Sequence, residues 1–185
     1  RVVQEGIEGW RNGLNLEDCP DLSKQTIQAV RNKKKKFALA DVDRQKIPAV
    51  SVKTRIGFDN EEIETWLPHL LEMRLATISL HGRTLKQGYS GEADWEVIGR
   101  AAELVKKTDP SIIFLGNGDI TNYEEAQEKV NTYHVDGVLI GRASYGQPFI
   151  FLPKKDLFLS RQLRRKPKLL YLSPSLSRTS PLLCV

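Results

Sequence analysis

The stretch Ala76-Thr77-Ile78-Ser79-Leu80-His81-Gly82-Arg83-Thr84 decides the reading of this chain: an apolar, partly β-branched run breaks abruptly into histidine, glycine and arginine. Such a run predicts a buried strand, and the break marks its exit. Three similar runs accompany it: Ala49-Val50-Ser51-Val52-Lys53-Thr54, Ser111-Ile112-Ile113-Phe114-Leu115 and Val135-Asp136-Gly137-Val138-Leu139-Ile140. Helical periodicities lie between them. Over Glu61 to Met73 the residues Ile63, Trp66, Leu67, Leu70 and Leu71 share one face, and over Trp95 to Lys107 the stripe is Ile98, Ala101, Ala102 and Val105. A further helix is expected through about Val130, with the Thr121 hydroxyl as its N-cap. From about Pro48 to Ile140 strand and helix alternate, which is the pattern of βα units on a parallel sheet and hence of an α/β fold. The preceding segment reads as a loop interrupted by Gly6, Gly9 and Gly13, then a helix from about Leu22 to Arg31 led in by Cys19-Pro20-Asp21. The run Lys33 to Lys36 falls at its C-terminal end, where cations oppose the negative end of the helix dipole. Contact with RNA phosphate is the alternative for that run.

In parallel α/β proteins functional residues gather where strands end, and all four exits carry unusual residues. The first reads Val52-Lys53-Thr54-Arg55-Ile56-Gly57. A lysine in an otherwise apolar strand demands an anionic or acceptor partner, through either a structural ion pair or a ligand. The second exit, His81-Gly82-Arg83-Thr84, continues through Gln87-Gly88-Tyr89-Ser90-Gly91 to Ala93-Asp94-Trp95. Histidine and arginine beside a glycine-bearing polar loop make a poor core and a plausible anion site. Asp94 is most simply the N-cap of the next helix, and Trp95 a packing residue. The third and fourth exits, Gly116-Asn117-Gly118-Asp119 and Ile140-Gly141-Arg142-Ala143, place glycines directly after strands. There, backbone N–H groups can approach an anion closely. Together the exits suggest a phosphate-bearing cofactor with a polar ring.

Composition sets outer limits. The chain has 185 residues, 40 % of them hydrophobic, with 13 glycines, an ordinary globular balance. No apolar run approaches the roughly 18 residues of a membrane span, and the opening Arg1-Val2-Val3-Gln4-Glu5 lacks the order of a signal peptide. A cytoplasmic protein without membrane contact is expected. Two cysteines, Cys19 and Cys184, with neither CxxC spacing nor a nearby histidine pair, point away from disulfides and from metal. The net charge of +5 is unevenly placed. Residues 153–185 hold eight Lys/Arg and one acidic residue, whereas residues 1–152 hold 20 basic and 22 acidic residues. The excess therefore belongs to a Leu/Ser/Pro-rich tail, expected to be poorly ordered, and says little about the body.

Val-Ser-Val-Lys-Thr-Arg-Ile-Gly (50–57), Leu-His-Gly-Arg-Thr with Gln87-Gly-Tyr-Ser-Gly and Ala93-Asp-Trp, Gly-Asn-Gly-Asp-Ile (116–120) and Ile-Gly-Arg-Ala with Gly146-Gln-Pro148 occur in that order. This series resembles the tRNA-dihydrouridine synthases over about residues 1–152. The resemblance implies a flavin-binding (β/α)8 TIM barrel. In it, NADPH reduces FMN, the flavin passes hydride to C6 of a tRNA uridine, and a cysteine acid protonates C5. Carried over by position, Lys53 and His81 would contact the flavin, with Lys53 near its electron-rich edge. Asn117, Gly118 and Asp119, with Gly141 and Arg142, would hold the ribityl phosphate. Arg83, Arg55 and Tyr89 would face the tRNA.

The sequence also departs from the family's pattern. Its strands match only the last four βα units of the barrel, which as a whole needs about 250 residues. The catalytic cysteine would lie upstream of Arg1, leaving no catalytic residue here, and Cys19, leading into a helix away from any strand exit, reads as inert. A partner chain or a missing segment would be needed to complete the barrel, so the chain alone is expected to be inactive. Two other readings are another FMN-dependent barrel oxidoreductase acting on a small pyrimidine, and a non-catalytic RNA-binding remnant. The block from His81 to Trp95 favours the tRNA enzyme over the first. Salt-steep, FMN-independent RNA affinity would mark the second.

Overall fold

The computed structural model describes residues 2–36, 48–147, 149–153 and 182–184. The chain divides into two compact units, Arg1–Val50 and Ser51–Val185. In the first unit, helix α1 spans Val2–Arg11, a 3-10 turn spans Leu16–Asp18, and helix α2 spans Lys24–Lys36. The segment expected to be a glycine-interrupted loop is thus largely helical. Val3, Ile7 and Trp10 lie at helical spacing on one face, although Gly6 and Gly9 each cost about 1 kcal/mol in a helix. Helix α2 starts two residues later than expected because the Ser23 hydroxyl accepts the Thr26 N–H at 3.1 Å, an N-cap contact. It ends at Lys36, so the basic run forms its last turn instead of following it.

The second unit carries strands β1 (Ser51–Arg55), β2 (Thr77–His81), β3 (Ile113–Asn117), β4 (Gly137–Leu139) and β5 (Leu182–Cys184). They form one sheet in the order β1-β2-β3-β4-β5, with every neighbouring pair parallel. Helices α3 (Ile63–Leu71), α4 (Trp95–Thr108) and α5 (Tyr123–Tyr133) connect the first four strands. The α/β expectation is met; the predicted α4 stripe is buried, while of the α3 stripe Ile63 and Leu67 are buried and Trp66, Leu70 and Leu71 are only partly covered. Ile63 and Leu67 of α3, and Ile98, Ala101, Ala102 and Val105 of α4, are shielded from solvent together with Ile78, Leu80, Phe114 and Val138 of the sheet. Leu182–Cys184, at the end of the basic tail, lie beside β4. The remaining tail residues 154–181 and 185, and with them most of the predicted poorly ordered segment, lie outside the described residues.

Two local expectations shift. The α5 cap is Asn122, whose side chain accepts the Glu125 N–H at 2.9 Å, while the Thr121 hydroxyl bonds the Glu125 carboxylate. The first three strands also run later than their apolar composition suggests. Ile56 N–H donates to His81 O at 3.2 Å and Gly82 N–H to Asn117 O at 3.0 Å, so the ladder continues through the polar residues. His81 and Asn117 therefore stand on strands and not on loops.

Candidate functional site

Register places Arg55, His81, Asn117 and Leu139 side by side across β1, β2, β3 and β4. Lys53 lies two residues back on β1 and, by the period of two along a strand, on the same face as Arg55. Its ammonium donates to Asn117 Oδ1 at 3.0 Å, and Asn117 Nδ2 donates to Leu139 O at 2.9 Å. Asn117 thus ties the first, third and fourth strands together. The lysine expected to be buried stands on an exposed face, and its acceptor is a neutral amide. Partial burial of the amine and the nearby Arg55 guanidinium hold its pKa below the ordinary value.

His81 accepts the Arg83 backbone N–H at Nδ1, 3.2 Å away, which leaves the proton of the neutral ring on Nε2. Burial and then the charges of Arg55, Lys53 and Arg83 press its pKa down to about 4. At neutral pH His81 is an uncharged donor. Arg55 donates to Thr84 O at 2.8 Å, linking the first exit to the loop after the second.

Arg83 is only 3 % exposed. Its guanidinium forms a bidentate pair with Asp119 at 2.8 and 2.7 Å and also donates to Gly91 O. Asp119 accepts the Ala93 N–H at 2.8 Å and Arg142 Nη2 at 3.2 Å as well. Burial works against the Asp119 anion, but the hydrogen bonds from Arg83 and Ala93 outweigh it and keep the pKa below the carboxylate norm. Asp119 adopts a left-handed φ of 54°, a strained setting worth about 1 kcal/mol, sustained by these four donor contacts. Arg142 keeps 59 % of its side chain exposed and stacks over the ring of Tyr89, 4.9 Å from its centroid; Tyr89 itself is 75 % exposed.

The glycines serve packing more than was expected of them. A Cβ on Gly116 would meet the Trp95 ring at 2.6 Å, and one on Gly118, at φ 140°, would meet Ala93 at 2.3 Å. Trp95 seals this seam by donating from Nε1 to Gly118 O at 3.1 Å. Asp94 is the α4 N-cap, accepting Val97 N–H at 3.0 Å. Gly141 is different, because a Cβ there would meet nothing within 4 Å. Next to Lys53 and Arg55 an open pocket of about 500 Å³ is walled by Phe58, Trp66 and Leu85, with Glu62 also on its lining. Nothing in the strand-exit pattern pointed to Phe58 or Leu85. Cys19 lies in the first unit, its thiol directed to Asn15 O. Among the described residues no group of three His, Cys, Asp or Glu side chains is arranged to hold a metal, and no helix is long and apolar enough to cross a membrane.

Residues 9–175 match the family model for dihydrouridine synthase (Dus). The chain belongs to the dihydrouridine synthase family. The family's architecture is the TIM barrel, with which a parallel sheet connected by helices agrees. Relatives named "Probable tRNA-dihydrouridine synthase" include one from Staphylococcus aureus strain Mu50, 36 % identical over 163 residues, or 88 % of this chain and 45 % of the relative. One from Staphylococcus epidermidis is 39 % identical over 115 residues, covering 62 % of this chain and 35 % of that protein. Another, from Rickettsia bellii, is 40 % identical over 115 residues, covering 60 % and 33 %. This member of the dihydrouridine synthase family therefore spans between a third and a half of the length of these relatives.

Proposed function

We propose that the chain forms the flavin-holding part of a cytoplasmic tRNA-dihydrouridine synthase, contributing the last four βα units of a (β/α)8 barrel. The observation that carries this reading is the row Arg55–His81–Asn117 with Lys53 beside it, on a family scaffold that uses flavin. FMN bound there and reduced by NADPH would supply the hydride that turns uridine into 5,6-dihydrouridine.

The residues suit such a cofactor. Lys53, held by Asn117, offers a cation to the electron-rich edge of a ring, where it favours the anionic reduced form. His81 presents a neutral Nε2–H donor, which can bond a ring carbonyl without adding charge. Arg142, exposed and next to the open Gly141, is the group best placed to take a phosphate. Gly118 would contribute backbone near that phosphate. Asp119, itself an anion with its oxygens occupied, acts by aiming Arg142 and not by touching phosphate. Arg55 and Tyr89 face the tRNA in this reading. The buried Arg83 supports them by fastening the loop that carries Tyr89.

The test is FMN binding by the full chain, followed through quenching of flavin fluorescence. Lys53→Ala is expected to weaken it about tenfold, the loss of one charge-assisted hydrogen bond. Unchanged affinity would remove Lys53 from the flavin site.

A further inference from the structure

A strand inside a parallel sheet has a neighbour on each side, and in a closed barrel no strand lacks one. As the last strand of the proposed barrel, β4 would stand between β3 and the barrel's first strand. That second place is taken. Gly137, Val138 and Leu139 pair in parallel with Leu182, Leu183 and Cys184, so the edge that barrel closure needs is filled from within the chain.

The sequence suits both partners to this pairing. Along β4, Gly137-Val138-Leu139 offers neither charge nor proline, the features that deter a strand from joining an edge. Opposite it, Leu182-Leu183-Cys184-Val185 is an uninterrupted apolar run that follows a basic, Leu/Ser/Pro-rich segment. Runs of that kind form buried parallel strands. The chain connection permits the parallel sense too, because a crossover needs a dozen or more residues and residues 140–181 exceed that. The row of strand exits is thereby extended by one position, with Arg55, His81, Asn117, Leu139 and Cys184 in register.

We propose that Leu182–Cys184 is an internal cap on the β4 edge, a stand-in for the strand that would close the barrel, and that it must leave before any other strand pairs there. The backbone groups along one side of β4 bond one neighbour at a time, so capping and closure exclude each other. The cap has the advantage over a separate strand, since a tethered segment competes as an intramolecular partner. The identity of the strand it replaces rests on the flavin-barrel reading above, whereas the cap itself rests on the pairing.

Cross-linking in the full chain is the test. Cys19→Ser leaves Cys184 as the single thiol, and Leu139→Cys adds a second at its register partner. Neighbouring strands lie about 4.8 Å apart, inside the roughly 4.4–6.8 Å over which two Cα atoms accept a disulfide. Oxidation with diamide is expected to link the two thiols within one chain. The same treatment of Cys19→Ser with Ser51→Cys, on the far edge of the sheet, should leave them unlinked. Adding Leu182→Pro and Leu183→Pro, which strips two N–H donors from the cap, should cut the linked yield about tenfold. With β4 uncovered, these proline variants should also self-associate in sedimentation velocity at about tenfold lower concentration than the wild-type chain, and the disulfide-locked chain should associate least. Equal linking from Leu139→Cys and Ser51→Cys overturns the cap, as does a yield that the two prolines leave unchanged, and FMN binding by the wild-type chain then keeps the flavin reading intact. Selective linking by a chain that binds no FMN keeps the cap and overturns the flavin reading.

Discussion

The exits of β2 and β4 each set an arginine on the Asp119 carboxylate, but the two arginines occupy different surroundings. Arg83 is buried and grips both oxygens, whereas Arg142 reaches one oxygen at 3.2 Å and keeps most of its side chain in solvent. A buried guanidinium must keep every partner, because stripping one leaves a charge without water. An exposed one stays hydrated and can exchange a carboxylate for a phosphate at little cost. Residue type and strand position are alike, yet one arginine is a fastener and the other is free to serve a ligand.

The largest effect expected from breaking this contrast is Arg83→Ala. Removing the buried partner should cost about 3 kcal/mol, the low end for such pairs because Asp119 remains partly solvated. Urea unfolding measures it, and a loss below about 1 kcal/mol would put Arg83 in the same class as Arg142. A smaller effect is expected from pH. The fold holds His81 near a pKa of about 4, against 6.5 when unfolded, so the unfolded chain binds a proton that the native chain refuses. Stability should therefore be fully present above pH 6.5 and decline as pH falls toward 4. Melting temperatures across that range follow the decline, and His81→Gln should flatten it. Arg142→Ala is the mildest for stability, below about 1 kcal/mol, as for other exposed pairs. Its signature is functional: FMN should bind little better than riboflavin, which lacks the phosphate. A retained preference for FMN would assign the phosphate elsewhere.

Sequence pattern made much of this legible where one residue's environment depends on near neighbours. The α3 and α4 stripes, the Asp94 cap and the packing role of Trp95 all follow from spacing or from the residue three positions away. The site was legible as a set of strand exits, since register across parallel strands aligns the ends of similar runs. What stayed hidden depends on distant partners. Arg83 looks solvent-facing until Asp119 arrives from 36 residues further along, and Gly116 and Gly118 look like phosphate turns until Trp95 and Ala93 pack on them. Lys53 looks buried because its strand neighbours are apolar, but that face of β1 is not covered. Helix α1 is hidden for a local reason: Gly6, Gly9 and Gly13 read as a loop by composition, while the Val3, Ile7 and Trp10 period that marks a helix spans only one short segment.

Strand β1 is an edge of the described sheet, paired only with β2. An edge strand offers unpaired backbone to any passing extended segment, and natural proteins often deter this with charged side chains. Here Lys53 and Arg55 occupy two of the five β1 positions. In the proposed barrel a further strand pairs along this edge, and until it does the charges proposed for flavin and RNA also deter other extended segments from taking its place. A change that trades them for apolar residues to retune the ligand would also weaken the chain's protection against aggregation.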